Sequence, residues 1–277
     1  MCQVLAVSTS SFYAWKRAPA SRRVCETLRL KERIEELFFD DHQQMAGSPM
    51  IYADLREEDE WKGVGKNRVA RLMRELGLRS RQKRKFTTTT NSNHKEPVAP
   101  NLLNRNFNPT APNMVWVTDI TYIRVGQKWH YLTVFIDLYS RLVVGWDFSK
   151  SMERSSIMRA FSDGWFKRKP AEGLTVHSDR GVQYASKDFR NQFNQVGAVQ
   201  SMSRRANCWD NAVAESFFHT LKTEYVYHHT FKSLDEAQRA LFWYIEIYYN
   251  RRRKHSTNGY VTPAKFDELY YQKELFA

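Results

Sequence analysis

The chain has 277 residues, of which 43 are Lys or Arg and 30 are Asp or Glu, so it carries a formal net charge of +13. A charge of this sign favours a polyanionic partner, above all nucleic acid, over an acidic small molecule. The sequence has no apolar run near the roughly 18 residues of a membrane-spanning helix and no signal-peptide core, so we expect a soluble intracellular protein without a membrane partner.

The first 85 residues are expected to form a helical DNA-binding region. Apolar residues at helical spacing predict helices over 26–40, 49–58 and 67–76, and the last two form a helix-turn-helix pattern over about 45–78. One face of the second helix would pack on its mate, and its basic face would meet DNA. The cations of that basic face are Lys66, Arg68, Arg71 and Arg74. An ordinary helical hairpin with a solvated charged face is the alternative.

A dense basic run follows this region. Its five cations are Arg79, Arg81, Lys83, Arg84 and Lys85. Such a run can be a simple basic tether, but cations that neutralise phosphates also strengthen DNA binding by releasing counterions. Residues 86–113 are rich in threonine, proline and asparagine without periodicity, which predicts a linker.

The pattern changes to strands at Met114. Strands are expected over 114–123, 129–138 and 141–148, then a helix over 153–167, a strand over 174–178, a helix over 187–195 and a short strand over 199–202. A helix containing Glu215 completes a core over 114–226. Three antiparallel strands followed by alternating helices and strands are typical of a ribonuclease-H-like α/β fold.

The last part of the chain, 227–277, is expected to be a helix and a basic tail packed on this core. The helix begins with a capping box formed by Ser233 and Glu236. It ends in a cationic patch of Arg251, Arg252, Arg253 and Lys254. The helix dipole favours cations at this end, and DNA contact is the functional reading of the same patch.

Three acidic residues carry the functional prediction. Asp119 lies within an apolar strand, Asp179 ends another apolar run, and Glu215 lies on a helix. A lone carboxylate in a buried strand costs several kcal/mol unless it is paired, protonated or bound to metal. Gathered in one pocket, the three carboxylates would repel one another and raise at least one pKa until divalent cations neutralise them. Oxygen ligands of this kind suit magnesium or manganese.

Several long motifs occur in one order along the chain. They are Trp116–Tyr122, Asp137–Arg141, His177–Tyr184, Asp210–Phe217, Tyr249–Asn250 with Arg253 and His255, and Gly259–Tyr260 with Pro263. With them the chain resembles the OrfB-type transposases of the insertion-sequence-three family, whose core belongs with retroviral integrases and carries an Asp, Asp, Glu triad. The resemblance extends to the helix-turn-helix. Ala206 departs from it, because the family usually has glycine there.

The resemblance implies a bacterial cytoplasmic enzyme that acts on the nucleoid. Asp119, Asp179 and Glu215 would be both its catalytic residues and its ligands for two Mg²⁺ ions, with Mn²⁺ as a substitute. The reaction would cleave double-stranded DNA at the ends of an insertion sequence and join the exposed 3′-hydroxyl to target DNA. Pairing two ends implies at least a homodimer on DNA. Lys222, almost two helical turns beyond Glu215, would bind a phosphate next to the scissile bond, since the family carries a basic residue at the matching place; an ordinary surface lysine is the alternative.

Two other functions remain open at this stage. The chain could be a catalytically silent DNA-binding subunit, because members of the family usually act fused to an upstream open-reading-frame product and this chain has no sustained heptads. A ribonuclease H on the same fold is a third reading, which the basic front and tail disfavour. Among secondary candidates, we expect Asn211 to cap its helix, His177 and His219 to be structural, and Asp137 to pair with Arg141.

Overall fold

A computed structural model describes residues 2–17, 19, 21–81, 99–152, 154–185, 187–204 and 208–275. The chain divides into two compact units, Met1–Arg79 and Ser80–Ala277. Lys83, Arg84, Lys85, Ala206 and the linker residues up to 98 lie outside the described residues. No helix within the described ranges has the length and apolar character that crossing a bilayer requires.

The first unit is helical, as predicted. Its helices are α1 (Thr9–Arg17), α2 (Arg22–Glu36), α3 (Ser48–Leu55) and α4 (Lys66–Glu75). The core of this unit joins α2, α3 and α4 through Leu30, Ile51 and Leu72, each of which is at most 1% exposed. The α3–turn–α4 segment is the predicted helix pair, and α2 supplies the third wall of its core. No described residue of α1 is buried.

A mixed five-stranded sheet forms the centre of the second unit. Its strands are β1 (Val115–Val125), β2 (Lys128–Asp137), β3 (Val143–Ser149), β4 (Thr175–Ser178) and β5 (Val199–Met202). The order across the sheet is β3-β2-β1-β4-β5. The pairs β1–β2 and β2–β3 are antiparallel, whereas β1–β4 and β4–β5 are parallel. This arrangement confirms the predicted ribonuclease-H-like class.

Helices cover the sheet and complete its core. They are α5 (Arg154–Arg168), α6 (Lys187–Val196), α7 (Ala212–Glu224), α8 (Leu234–Phe242) and α9 (Pro263–Leu275). An aromatic-rich cluster that includes Trp116, Phe161 and Phe193 fills the space between the sheet and its helices. Helix α5 lies so close to β3 that a Cβ on Gly145 would stand 2.2 Å from the Ala160 carbonyl oxygen. Glycine at this position is therefore required by packing.

Part of the predicted linker belongs to the core, which corrects the boundary expected at Asn113. The backbone amide of Leu102 donates to Ser201 Oγ at 2.9 Å, and the amide of Asn113 donates to Asp137 Oδ2 at 2.6 Å. These bonds attach residues 99–113 to β5 and to the end of β2, so this part of the predicted linker packs on the second unit.

The C-terminal segment packs on the sheet. Ser233 Oγ accepts the amide of Glu236 at 3.2 Å, as the capping box predicts, while the Glu236 carboxylate accepts the amide of Lys232. Helix α8 continues as a π-helical turn over Trp243–Tyr249. Asn250 then bonds the backbone of Val143 on β3 through both atoms of its amide, at 3.0 Å each.

Candidate active site

Asp119 and Asp179 lie at neighbouring positions of β1 and β4. The two strands are parallel, and their register pairs Val117 with His177. Asp119 and Asp179 each follow two residues after this last pair, and the charge of Asp179 acts on Asp119. Asp179 stands one residue beyond the end of β4, where its Oδ1 accepts the amide of Gly181 at 2.9 Å.

Helix α7 brings Glu215 to the same edge of β1. The pairing with β4 ends at Val117, so the backbone beyond it is open on that side. Asn211 closes this edge, since its side-chain amide donates to the Thr118 carbonyl at 3.2 Å. Glu215 lies one helical turn later, in the first turn of α7, and is exposed. The expectation that Asn211 caps the helix is wrong: its side chain makes no capping hydrogen bond because it reaches across to the strand.

The three carboxylates act on one another electrostatically. Burial raises the pKa of Asp119 well above its usual value, and the charges of Asp179 and Glu215 raise it further. The amide of Ile120, which donates to Asp119 Oδ1 at 2.8 Å, opposes this rise. Partial desolvation and the charge of Asp179 likewise raise the pKa of Glu215. This edge of the sheet therefore favours a positive charge next to the acids.

Lys222, one of the predicted DNA-binding cations, interacts electrostatically with Asp119. It is partly buried, and its Nζ lies 4.8 Å from the centroid of the Tyr122 ring. Burial lowers the pKa of Lys222, while the charge of Asp119 opposes that change. A lysine held in this way keeps its charge close to Asp119 and next to an aromatic surface.

The donor set at this edge is suited to a hard divalent cation. All three side chains offer carboxylate oxygens, which magnesium and manganese prefer. Burial, together with the neighbouring negative charges, raises the pKa values of Asp119 and Glu215, so a cation beside them would relieve part of that effect. Among the described residues, no three His, Cys, Asp or Glu side chains are already arranged around one point. The acids are therefore neighbours of suitable chemistry, without a preformed cage.

Comparison with known proteins assigns both units to families. Residues 109–208 and residues 196–263 each match an integrase core domain, and residues 22–86 match an HTH-like domain. A 31 kDa protein of insertion element IS600 from Shigella sonnei is 44% identical over 98% of this chain and 99% of its own length. The transposase InsF of insertion sequence IS3A from Escherichia coli K12 is 36% identical over 96% of this chain and 92% of its own length.

The chain belongs to the IS3 family of transposases. This relationship confirms the predicted resemblance and identifies a DNA transposition protein with an integrase-type core. Two solved structures are similar at low identity. The simian T-cell lymphotropic virus intasome matches at 15% identity with a TM-score of 0.49, over 85% of this chain and 74% of the other. The HTLV-2 integrase core with magnesium matches at 18% with a TM-score of 0.44, over 57% and 98%.

Asp210 holds the turn that leads into α7. The sequence motif contains this residue but does not reveal its role. Asp210 is fully buried and accepts from the Arg204 guanidinium at 2.8 and 3.0 Å, from the Arg105 guanidinium at 3.1 Å and from the side-chain amide of Asn101 at 2.9 Å. Bonding to Arg204 is the largest of the effects that hold the pKa of Asp210 far below its usual value. The transposase thus fixes the start of the glutamate helix with one buried carboxylate.

Two secondary candidates have structural roles. His177 is fully buried between Ser201 Oγ at 2.8 Å and Ser203 Oγ at 3.1 Å, and burial lowers its pKa to about 4. It is a neutral residue that joins β4 to β5, as expected. Asp137 and Arg141 interact without a side-chain ion pair: the Arg141 amide donates to the Asp137 carbonyl at 2.9 Å, and the charge of Asp137 opposes the burial that lowers the pKa of Arg141. Asp137 accepts backbone amides, including that of Ser140 at 3.0 Å, and the Arg141 guanidinium donates to the Phe107 carbonyl.

The predicted DNA-contacting cations of α4 and its flank divide into two groups. Lys66, Arg71, Arg74 and Arg79 are exposed, and Arg81 is partly buried. Arg68 faces α2 instead, where it forms an ion pair with Glu26 at 2.9 Å and bonds Thr27. The assignment of Arg68 to the exposed basic face is corrected, because its guanidinium bridges two helices of the same unit.

The C-terminal cation patch also divides. Arg251 and Arg252 are exposed, whereas Lys254 is only 5% exposed. Arg253 forms an ion pair with Glu224, donating from Nε at 2.9 Å and from Nη2 at 2.7 Å. The assignment of Arg253 and Lys254 to a DNA-facing patch is therefore corrected: the chain turns inward after Arg252, Lys254 is buried, and the partly buried Arg253 pairs with Glu224.

Proposed function

We propose that this transposase cleaves DNA at the ends of its insertion sequence and joins the 3′-hydroxyl to target DNA, with Asp119, Asp179 and Glu215 as the catalytic acids. One observation carries the proposal: the β1–β4 register and the Asn211–Thr118 hydrogen bond bring all three acids to one edge of the sheet. Their mutual electrostatic effect supports a common role.

Asp119, Asp179 and Glu215 would hold two Mg²⁺ or Mn²⁺ ions. When bound, such ions activate an attacking oxygen and stabilise the leaving oxygen in a phosphoryl displacement. The protein residues orient the DNA: Lys222 binds a phosphate oxygen beside the scissile bond, and the rigid β1 edge fixes the direction of attack. Water as the nucleophile nicks the strand and releases a 3′-hydroxyl, and that hydroxyl then attacks a target phosphodiester. No covalent bond to the protein is needed in either step.

We assign the binding of DNA away from the reacting phosphate to the first unit. Lys66, Arg71 and Arg74 lie exposed on or at the start of α4 and can bind phosphates or base edges in a groove. Synapsis of two ends requires at least two copies of the chain. The upstream-frame product, as a fusion or a partner, would add further DNA binding. In this arrangement the first unit selects the end and the second unit cuts it.

The test uses three isosteric variants and one control. Asp119→Asn, Asp179→Asn and Glu215→Gln should each abolish nicking of a labelled end duplex and strand transfer into a plasmid, while anisotropy shows unchanged DNA binding. Asp163→Asn, an acid of the same unit that pairs with Lys167 on the surface of α5, should retain both steps. Retention of nicking by any one of the three variants would refute that residue's assignment.

A measurement independent of activity tests the metal. Without divalent ions, the three variants should melt no earlier than the parent, because each removes a like charge from a crowded group. Added Mg²⁺ or Mn²⁺ should raise the melting temperature of the parent and leave that of the variants nearly unchanged. Equal stabilisation of the parent and the Asp119→Asn variant would place the metal elsewhere. Assaying the chain alone and fused to the upstream product separates an active enzyme from a silent subunit.

A further inference from the structure

The hairpin of β1 and β2 exposes two large aromatic rings beside the candidate active site. Trp129 is 54% exposed and Tyr122 is 36% exposed, and their ring centroids lie 5.1 Å apart in an edge-to-face arrangement. Tyr122 pairs across the strands with Tyr131, which makes Trp129 its diagonal neighbour on the same face. Other apolar residues of the same strands, such as Ile123 and Leu132, are at most 1% exposed. The exposed pair therefore is not part of the core of this unit.

Cations surround the two rings. Arg124 is the cross-strand partner of Trp129 and is exposed, with a bond from its guanidinium to Gln127 in the turn. Lys222 Nζ lies 4.8 Å from the centroid of the Tyr122 ring. Because Lys222 also interacts electrostatically with Asp119, the surface of Tyr122, Arg124, Trp129 and Lys222 is continuous with the catalytic acids. We call these four residues the hairpin patch.

We propose that the hairpin patch binds an unpaired base of the DNA strand next to the scissile phosphate. An aromatic face stacks on any base and contributes about 1–3 kcal/mol per base, while neighbouring cations neutralise the flanking phosphates. The charge of the patch complements a polyanion, in line with the net charge of +13. The position beside the scissile bond rests on the proposed function, but the preference for unpaired bases does not. Such binding would hold the terminal base pairs open while the strand is cut.

The test compares two duplexes of one arbitrary sequence, because stacking tolerates any base. In one duplex the last three base pairs are complementary, and in the other they are mismatched and splayed. Binding of the full chain is measured by fluorescence anisotropy without divalent ions, so that no DNA is cut. The parent should prefer the splayed duplex by about fivefold or more, since stacking of one base contributes at least that much.

The variants locate the source of this preference. Trp129→Ala and Tyr122→Ala should reduce it to near unity, and Tyr122→Phe should keep it because the ring remains. Phe166→Ala removes a ring on α5 that is 74% exposed and should change nothing. Circular dichroism checks that each variant folds. If Tyr122→Ala does not fold, Tyr122→Phe still tests whether the aromatic ring accounts for the preference.

Three outcomes would overturn the proposal. The first is equal binding of the paired and splayed duplexes by the parent, and the second is an unchanged preference in Trp129→Ala. The third is loss of self-association in Trp129→Ala, measured by light scattering, with the DNA preference intact, which would make the hairpin patch a protein interface. Failure of the proposed function gives a different result: the triad variants would still nick DNA, whereas the metal-free binding preference would be unaffected.

Discussion

The buried ion pair between Arg253 and Glu224 should contribute strongly to the stability of the second unit. Glu224, the last residue of α7, is fully buried and accepts two bonds from Arg253 and one from the Tyr244 hydroxyl at 3.0 Å. Removing one member of such a pair leaves an uncompensated charge in the interior and costs about 3–5 kcal/mol. Because Tyr244 still donates to the carboxylate, we expect Arg253→Met to cost about 3 kcal/mol, the lower end of that range.

Urea denaturation followed by tryptophan fluorescence measures this cost, since most tryptophans of the chain lie in the second unit. The double variant Glu224→Gln/Arg253→Met leaves no charge behind, so it should be more stable than Arg253→Met alone. Lys265→Met breaks an exposed pair with Glu268 and should change the free energy of unfolding by no more than about 0.5 kcal/mol. If Arg253→Met lost less than about 1 kcal/mol, or the double variant were the least stable, the reasoning on buried charge would be refuted.

Two further predictions concern packing and pH. Gly145→Ala should lower the free energy of unfolding by at least about 2 kcal/mol, because its methyl group would clash with the Ala160 carbonyl. The control Gly63→Ala meets no atom within 4 Å and should be tolerated. Similar urea midpoints for the two variants would contradict the packing argument. Burial, with the charge of Arg253 next in importance, lowers the pKa of His255 to about 4. As the pH falls, the unfolded chain therefore binds the proton before the folded protein does. The stability that depends on neutral His255 is complete above about pH 6.5 and is lost toward pH 4. His255→Gln should therefore flatten the pH dependence of the free energy of unfolding in that range, and an unchanged slope would contradict this reasoning.

Periodicity in the sequence predicted most elements because their apolar residues repeat at strand or helix spacing. The strands and helices from Val115 to Glu224 lie within a few residues of their expected bounds. Helix α9, Pro263–Leu275, was not predicted, since its apolar residues form no clear stripe. The acids could be found because carboxylates in apolar segments are conspicuous, and the family resemblance gave them a role.

Side-chain partners distant in sequence could not be predicted. Arg68 and Arg253 belong to runs of cations that look solvent-facing, but Glu26 and Glu224 bind them from 42 and 29 residues away. Asn211 occupies the position of a helix cap, and nothing in its neighbours indicates that it reaches Thr118, which lies 93 residues earlier. The exposure of the Trp129 ring could not be predicted either, because an aromatic residue near the end of a strand can pack in a core or face solvent, and the local sequence does not distinguish the two.

The shortness of β4 has a consequence for how the protein avoids unwanted association. A longer β4 would have formed hydrogen bonds with the backbone groups of β1 beyond Val117. If that stretch of β1 were uncovered, its backbone groups could pair with a strand of another protein. The side chain of Asn211, the residue just before α7, shields that stretch, and α7 carries Glu215 toward Asp119. The cover of this strand edge and the placement of Glu215 thus depend on a single helix, so a lesion that loosens α7 should both uncover the strand and separate the acids that we propose to be catalytic.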